Sequence, residues 1–247
     1  MSAELLILPL LVPLGLFVAA FCAGLAGFAF NLIGAGILLH FVTPQELAPV
    51  LVLGSLVVQS ISLPRVIRAA RWRPLILPIV AGVVGLPIGI LTLRVADPDQ
   101  VGMIVGGLLV AYGGYALARM ALRMKPRHIA GDARVDQAVG FFSGILGGIG
   151  GFSGALPAMW ADLQGLSKEE TRARIQPFVT VMQALTAAGL AFGGFMTRET
   201  GWTLLTGLPA LMLGTWLGLH AFRLIPAQGF RLVLVGLLFL SGISLLL

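Results

Sequence analysis

The chain carries the same unusual segment twice. No charged residue lies between Leu5 and Phe41, and the glycine-rich second half of that run is Gly24-Leu25-Ala26-Gly27-Phe28-Ala29-Phe30-Asn31-Leu32-Ile33-Gly34-Ala35-Gly36. It returns later as Gly144-Ile145-Leu146-Gly147-Gly148-Ile149-Gly150-Gly151-Phe152-Ser153-Gly154-Ala155. In this register Phe21 meets Phe141, Gly24 meets Gly144, Gly27 meets Gly147, Gly34 meets Gly154 and Ala35 meets Ala155. An apolar segment duplicated with its glycines in step points to an internally repeated membrane protein with interrupted helices, an arrangement many transporters use to build a substrate site.

Composition supports a membrane chain. Hydrophobic residues make up 58% and charged residues 11%, against roughly 25% charged in a soluble domain. Uncharged stretches near the length of roughly 20 residues that a helix needs to cross a bilayer recur as Leu5 to Phe41, Leu47 to Leu63, Pro74 to Leu93, Val101 to Ala118, Ala138 to Ala161, Ile175 to Thr197, Thr200 to Phe222 and Phe230 to Leu247. These eight candidates leave no loop long enough for a separate soluble domain, so activity must reside in the bundle. The first segment has no Lys or Arg ahead of it and no convincing small-residue cleavage site, so it is expected to be retained. Cys22, the single cysteine, reads as a small apolar packing residue.

The net charge of +6 lies in short loops between spans, where it orients a membrane protein and does not imply nucleic acid. Arg65, Arg68, Arg71 and Arg73 form one cluster, and Arg119, Arg123, Lys125, Arg127 and Arg134 another, with two spans between them. Both loops are therefore expected to be cytoplasmic. If Leu5 to Phe41 and Ala138 to Ala161 each cross once, both termini and Arg198 are cytoplasmic too, leaving Arg94, Lys168, Arg172, Arg174, Arg223 and Arg231 outside.

The duplication extends further. Gly85 pairs with Gly214, Gly89 with Gly218, Arg94 with Arg223, Gly107 with Gly236 and Gly113 with Gly242, while Pro49 answers Pro177 and Trp72 answers Trp202. The expected fold is an all-α integral membrane protein of about eight transmembrane helices. It consists of a first four-span repeat over residues 1–118, a basic cytoplasmic linker over 119–137 and a second four-span repeat over 138–247. An even number of spans per half predicts parallel repeats. Inverted repeats require one glycine segment per half to enter and leave on the same face, and the first run is long enough for either.

A helix interrupted inside the bilayer is tolerated where its unpaired backbone is buried in protein or lines a cavity. The half-helix after the break offers free N–H groups and the positive end of its dipole to an anion. Gly147, Gly148, Gly150 and Gly151 followed by Pro157 are strong breaker signals; in the first copy Ile37 stands where Pro157 aligns. The alternative use of such glycines is close helix packing, which suits the four-residue spacings Gly85/Gly89, Gly102/Gly106, Gly189/Gly193 and Gly214/Gly218. Polar side chains cluster in corresponding spans: Ser55, Gln59 and Ser62 on one face of the second, and Thr180, Gln183 and Thr186 in the sixth. With Asn31, Ser143 and Ser153 they supply uncharged hydrogen-bonding groups around a solute, or hydrogen bonds between helices.

No Asp, Glu, Lys or Arg lies in the middle of a clear span, which argues against a cation carrier. Asp162, Arg172, Arg174 and Arg65 sit at span edges, as solvated interface residues or as a vestibule that recruits anions. His40, His128 and His220 have no metal-ligand spacing, no protease arrangement is apparent, and no phosphate-binding Gly-Lys-Ser/Thr loop exists. Neither an enzyme nor a cofactor or metal site is expected.

The eight-span duplication, the glycine segments Gly24 to Gly36 and Gly144 to Pro157, and the basic central linker resemble the sulfite exporter TauE/SafE family of bacterial membrane permeases over nearly the full chain. The resemblance implies a secondary transporter in the bacterial cytoplasmic (inner) membrane that exports a small sulfur oxyanion or organosulfonate such as sulfite. Substrate contacts are expected from Asn31, Gly34, Ser55, Gln59, Gly150, Gly151, Ser153, Thr180 and Gln183. The partners expected are a small anionic substrate and the lipid bilayer, with a homodimer and the coupling ion left open and no nucleic acid. A membrane-embedded accessory or assembly subunit that transports nothing is the alternative reading; a polar cavity reaching the glycine segments favours a transporter, and a closed, dry bundle a scaffold.

Overall fold

The computed structural model of the chain describes residues 3–39, 41–69, 72–95, 98–122 and 129–246. His40, Arg71, Arg123, Lys125, Arg127 and His128 lie outside the described residues, as do the side chains of Ser62, Arg65 and Arg94. The described residues form ten helices and no strand: α1 (Ala3–Ala26), α2 (Phe30–Leu38), α3 (Pro44–Ala69), α4 (Arg73–Val95), α5 (Pro98–Ala121), α6 (Ala133–Gly150), α7 (Ala155–Gln164), α8 (Lys168–Phe192), α9 (Arg198–Leu224) and α10 (Ala227–Leu246). Five stretches, Arg73–Leu93, Met103–Ala121, Lys168–Phe192, Arg198–Leu224 and Ala227–Leu246, are long and apolar enough to cross a membrane. Leu11–Ala26 and Gln45–Ile61 are shorter apolar helices.

Both glycine segments are broken, and each break reverses the chain. Gly27, with φ +90°, separates α1 from α2, and Gly151, with φ +74°, ends α6 four positions before α7 begins at Ala155. Both angles fall in the left-handed region that glycine enters without a side-chain clash. After the first break α2 runs back along α1: a β-carbon at Gly15 would touch Leu38 and Ile37, and one at Gly34 would lie 3.7 Å from the β-carbon of Ala19. After the second, α7 returns along α6 until Trp160 Nε1 donates to Asp136 Oδ1 at 2.6 Å. Of the two arrangements left open for these runs, a single crossing and a hairpin that enters and leaves on the same face, the described residues form the hairpin. The first break forms although Ile37 replaces the proline, because the left-handed glycine makes the turn.

The two hairpins pack on partners from the other end of the chain. Helix α1 lies parallel to α9, where β-carbons at Gly214 and Gly218 would strike the carbonyl oxygens of Phe17 and Phe21. Helix α6 lies parallel to α4, where Gly85 and Gly89 stand against the carbonyl oxygens of Phe141 and Ile145 in the same way. Backbones come this close only when the side chain is absent, and van der Waals contact is the main attraction between helices in lipid. Helices α3 and α8 run in opposite directions, as do α5 and α10, where Gly106 meets Gly242 and Gly113 meets Phe239. The buried apolar centre contains Leu16, Phe30, Leu51, Phe178, Met182 and Leu211.

This layout gathers basic residues at one face of the bundle. The ends that converge there carry Arg65 and Arg68 on α3, Arg73 on α4, Arg119 on α5, Arg134 on α6, Lys168 to Arg174 on α8, Arg223 on α9 and Arg231 on α10. Arg94 and Arg198 lie at the opposite face, where α1 starts and α10 ends. Lys168, Arg172, Arg174, Arg223 and Arg231 therefore share a face with the described members of the two sequence clusters, and Arg198 does not. Two ion pairs fasten the second hairpin there: Arg174 to Asp136, and Arg231 to Asp162, which also accepts from the hydroxyl of Tyr112 at 2.8 Å.

Candidate functional site

The two breaks meet tip to tip inside the bundle. A β-carbon at Gly154 would lie 2.6 Å from that of Phe28, so the turn of one hairpin rests on the turn of the other. Helix α6 closes when the N–H groups of Gly151 and Phe152 donate back to the carbonyls of Gly147 (2.8 Å) and Leu146 (3.1 Å). That leaves the carbonyls of Gly150 and Gly151 without helical donors. Side-chain amides take them: Asn31 Nδ2 donates to Gly150 O at 3.2 Å, and Gln183 Nε2 donates to Gly151 O at 2.8 Å. Gln183 Nε2 also donates to Asn31 Oδ1 at 3.1 Å, joining both hairpins to α8. Asn31 sits in the first turn of α2 and thus beside that helix's unsatisfied N–H groups, while Ser153 precedes the first turn of α7.

Asn31 and Gln183 are 1% exposed and Ser153 is 0% exposed. The Oε1 atom of Gln183 and the hydroxyl of Ser153 are buried and have no hydrogen-bond partner. Thr186 closes the lower side, donating to Met182 O at 2.8 Å with Gly147 O 3.4 Å away. The breaks thus form a closed, uncharged, hydrogen-bonding constellation.

A model of the sulfite exporter TauE/SafE family matches residues 11–245. The chain belongs to that family. No curated protein and no solved structure matches it. Family and apolar helices together make it a multi-pass membrane protein.

Of the residues singled out in this TauE/SafE chain, Asn31, Gly150, Gly151, Ser153 and Gln183 come together at the breaks. Gln59 lies one tier nearer the basic face, accepting from Gln176 Nε2 at 2.9 Å, and Ser55 is buried one turn before it on α3. The Thr180 hydroxyl bonds its own helix, donating to Gln176 O at 2.8 Å. Gly34 lies away from the constellation, where its missing side chain makes room for Leu51. Sequence reasoning missed Gln176, although it stands seven positions before Gln183 and so on the same side of α8. Arg172, one turn earlier, donates Nε to Gln176 Oε1 at 3.0 Å, and its guanidinium lies 4.5 Å from the centre of the Phe222 ring. Its stem overhangs the first break, 3.5 Å from where a β-carbon on Gly27 would sit. A polar row therefore runs from the basic face through Arg172, Gln176 and Gln59 toward the breaks.

A separate cavity of about 340 Å³ opens at the basic face between the starts of α4 and α8. It is lined by Pro74, Leu75, Leu166, Glu169, Glu170, Ala173 and Arg174, and its lining includes no residue of the breaks. No group of three or more His, Cys, Asp or Glu able to hold a metal occurs among the described residues.

Proposed function

We propose that this chain is a secondary transporter that exports a small sulfur oxyanion or organosulfonate, such as sulfite, across the bacterial inner membrane. The observation that carries the reading is the meeting of two broken helices at Asn31, Gly151 and Gln183. Two half-helix N-termini, each equivalent to about half a positive charge, converge with uncharged amides at a buried point, which suits a small anion. The breaks are closed and the cavity at the basic face does not reach them, which by the criterion of a polar cavity fits a scaffold. Against a scaffold stands the breaking of the helices themselves, since Gly85, Gly89, Gly214 and Gly218 achieve close approach within continuous helices.

In this reading the halves are inverted repeats, each made of a re-entrant hairpin and three spans. The matching contacts of Gly85/Gly89 with α6 and Gly214/Gly218 with α1, and the opposite directions of α3 and α8, support it. The basic face is cytoplasmic by the positive-inside rule. The substrate descends the Arg172, Gln176 and Gln59 row, and alternating movement of the hairpins exposes the breaks to either side. Proteoliposome transport assays with purified protein, run against sulfite, sulfonates and carboxylates, test this. Movement of a sulfur anion above protein-free liposomes is expected, and absence of both binding and transport across the panel rejects it.

A further inference from the structure

We infer, resting on the reading just given, that the site takes an oxyanion carrying its own N–H or O–H donor, in preference to a fully deprotonated one. The inference starts from Gln183 Oε1, an acceptor in a residue 1% exposed that has no partner. Its orientation is fixed by its neighbours. Turning the Gln183 amide over would aim an oxygen at Gly151 O, and turning Asn31 over with it would aim another at Gly150 O, so both amides must present nitrogen to those carbonyls. Gln183 therefore faces the site with oxygen, and burying an unpaired acceptor is costly. A ligand donor relieves that cost. The Ser153 hydroxyl, also buried and unpartnered, can donate to the ligand's oxygens, as can the first N–H groups of α2.

Of the two forms of sulfite, hydrogen sulfite carries such a donor and the fully deprotonated ion does not.

Sulfamate and methanesulfonate separate donor from charge, because both are tetrahedral monoanions at neutral pH and differ in an amino against a methyl group. Binding to purified full-length protein at one pH should favour sulfamate over methanesulfonate by roughly tenfold or more, and sulfate, a dianion without a donor, should bind more weakly than sulfamate. In Gln183→Met, which removes the acceptor at similar length, the ratio of sulfamate to methanesulfonate affinity should fall toward one. Equal affinities for the two monoanions in the wild-type protein, or tighter binding of sulfate, overturn the inference even if the variant fails to fold. If sulfite binds without that preference, only this inference falls; if no anion of the panel binds, the transporter reading falls with it.

Discussion

The side-chain nitrogen of Gln183 lies 2.8 Å from the carbonyl oxygen of Gly151, so a residue of α8 holds the broken end of α6. A β-carbon at Gly151 would collide with the Asn31 amide and come within 3.1 Å of Gln183 Oε1. Its φ of +74° adds about 1–2 kcal/mol of strain for a residue with a side chain. Gly151→Leu should therefore insert in the membrane and transport nothing, whereas Gly107→Ala should transport as the wild type does. Nothing lies within 4 Å of the Gly107 position. Initial rates per amount of monodisperse protein check both, and normal transport by Gly151→Leu contradicts the site.

Asn31 and Gln183 act on the same break and bond each other at 3.1 Å. Gln183→Ala should weaken apparent affinity about tenfold, equivalent to about 1.4 kcal/mol, and Asn31→Ala should cost a similar amount. Because each substitution removes their shared hydrogen bond, the double variant should lose less than the product of the single losses. A binding titration of the four proteins measures this, and strict additivity shows that the two amides do not cooperate.

The sequence made the breaks legible but not their register or consequence. Aligning the glycine runs by residue type places Gly27 opposite Gly147, yet the left-handed glycines are Gly27 and Gly151, each followed by phenylalanine. Gly147 lies inside α6. Glycines that pack and glycines that turn are the same residue in a sequence, and only backbone angles distinguish them. The return of α2 along α1 was hidden for another reason, since an uncharged run of that length fits a crossing or a hairpin equally well. Once the second run doubles back, α8, α9 and α10 reverse the directions that a single crossing gives them, and Lys168 to Arg174 move to the basic face. Gln59 and Gln183 stood out as amides in apolar spans, while the bond from Gln176 to Gln59 depends on how α3 crosses α8.

Gly85 and Gly214 occupy matching places against the carbonyls of Phe141 and Phe17. Valine at either position would push two helices apart, at a cost of about 1–3 kcal/mol for overpacking. Each variant should melt several degrees below the wild type in detergent, by similar amounts, as about 2–8 °C per kcal/mol implies for domains of up to this size. Gly236→Val, with nothing within 4 Å, should melt close to the wild-type temperature. A large loss at Gly85 with none at Gly214 would show that the two contacts are not equivalent.

The hairpins also decide which residues can be reached from outside the cell. In a Cys22→Ala background, single cysteines at Gly131, between α5 and α6, and at Gln228, at the start of α10, lie on the basic face. Both should resist an impermeant maleimide in intact cells and react after the membrane is opened, since the positive-inside rule places that face in the cytoplasm. Cysteines at Thr43, before α3, and Glu199, at the start of α9, lie on the opposite face and should react at once. The decisive pair is Gln228 and Glu199. If each glycine run crossed the membrane a single time, Glu199 would be protected and Gln228 labelled, so that pattern would reject the re-entrant hairpins and the inverted arrangement built on them.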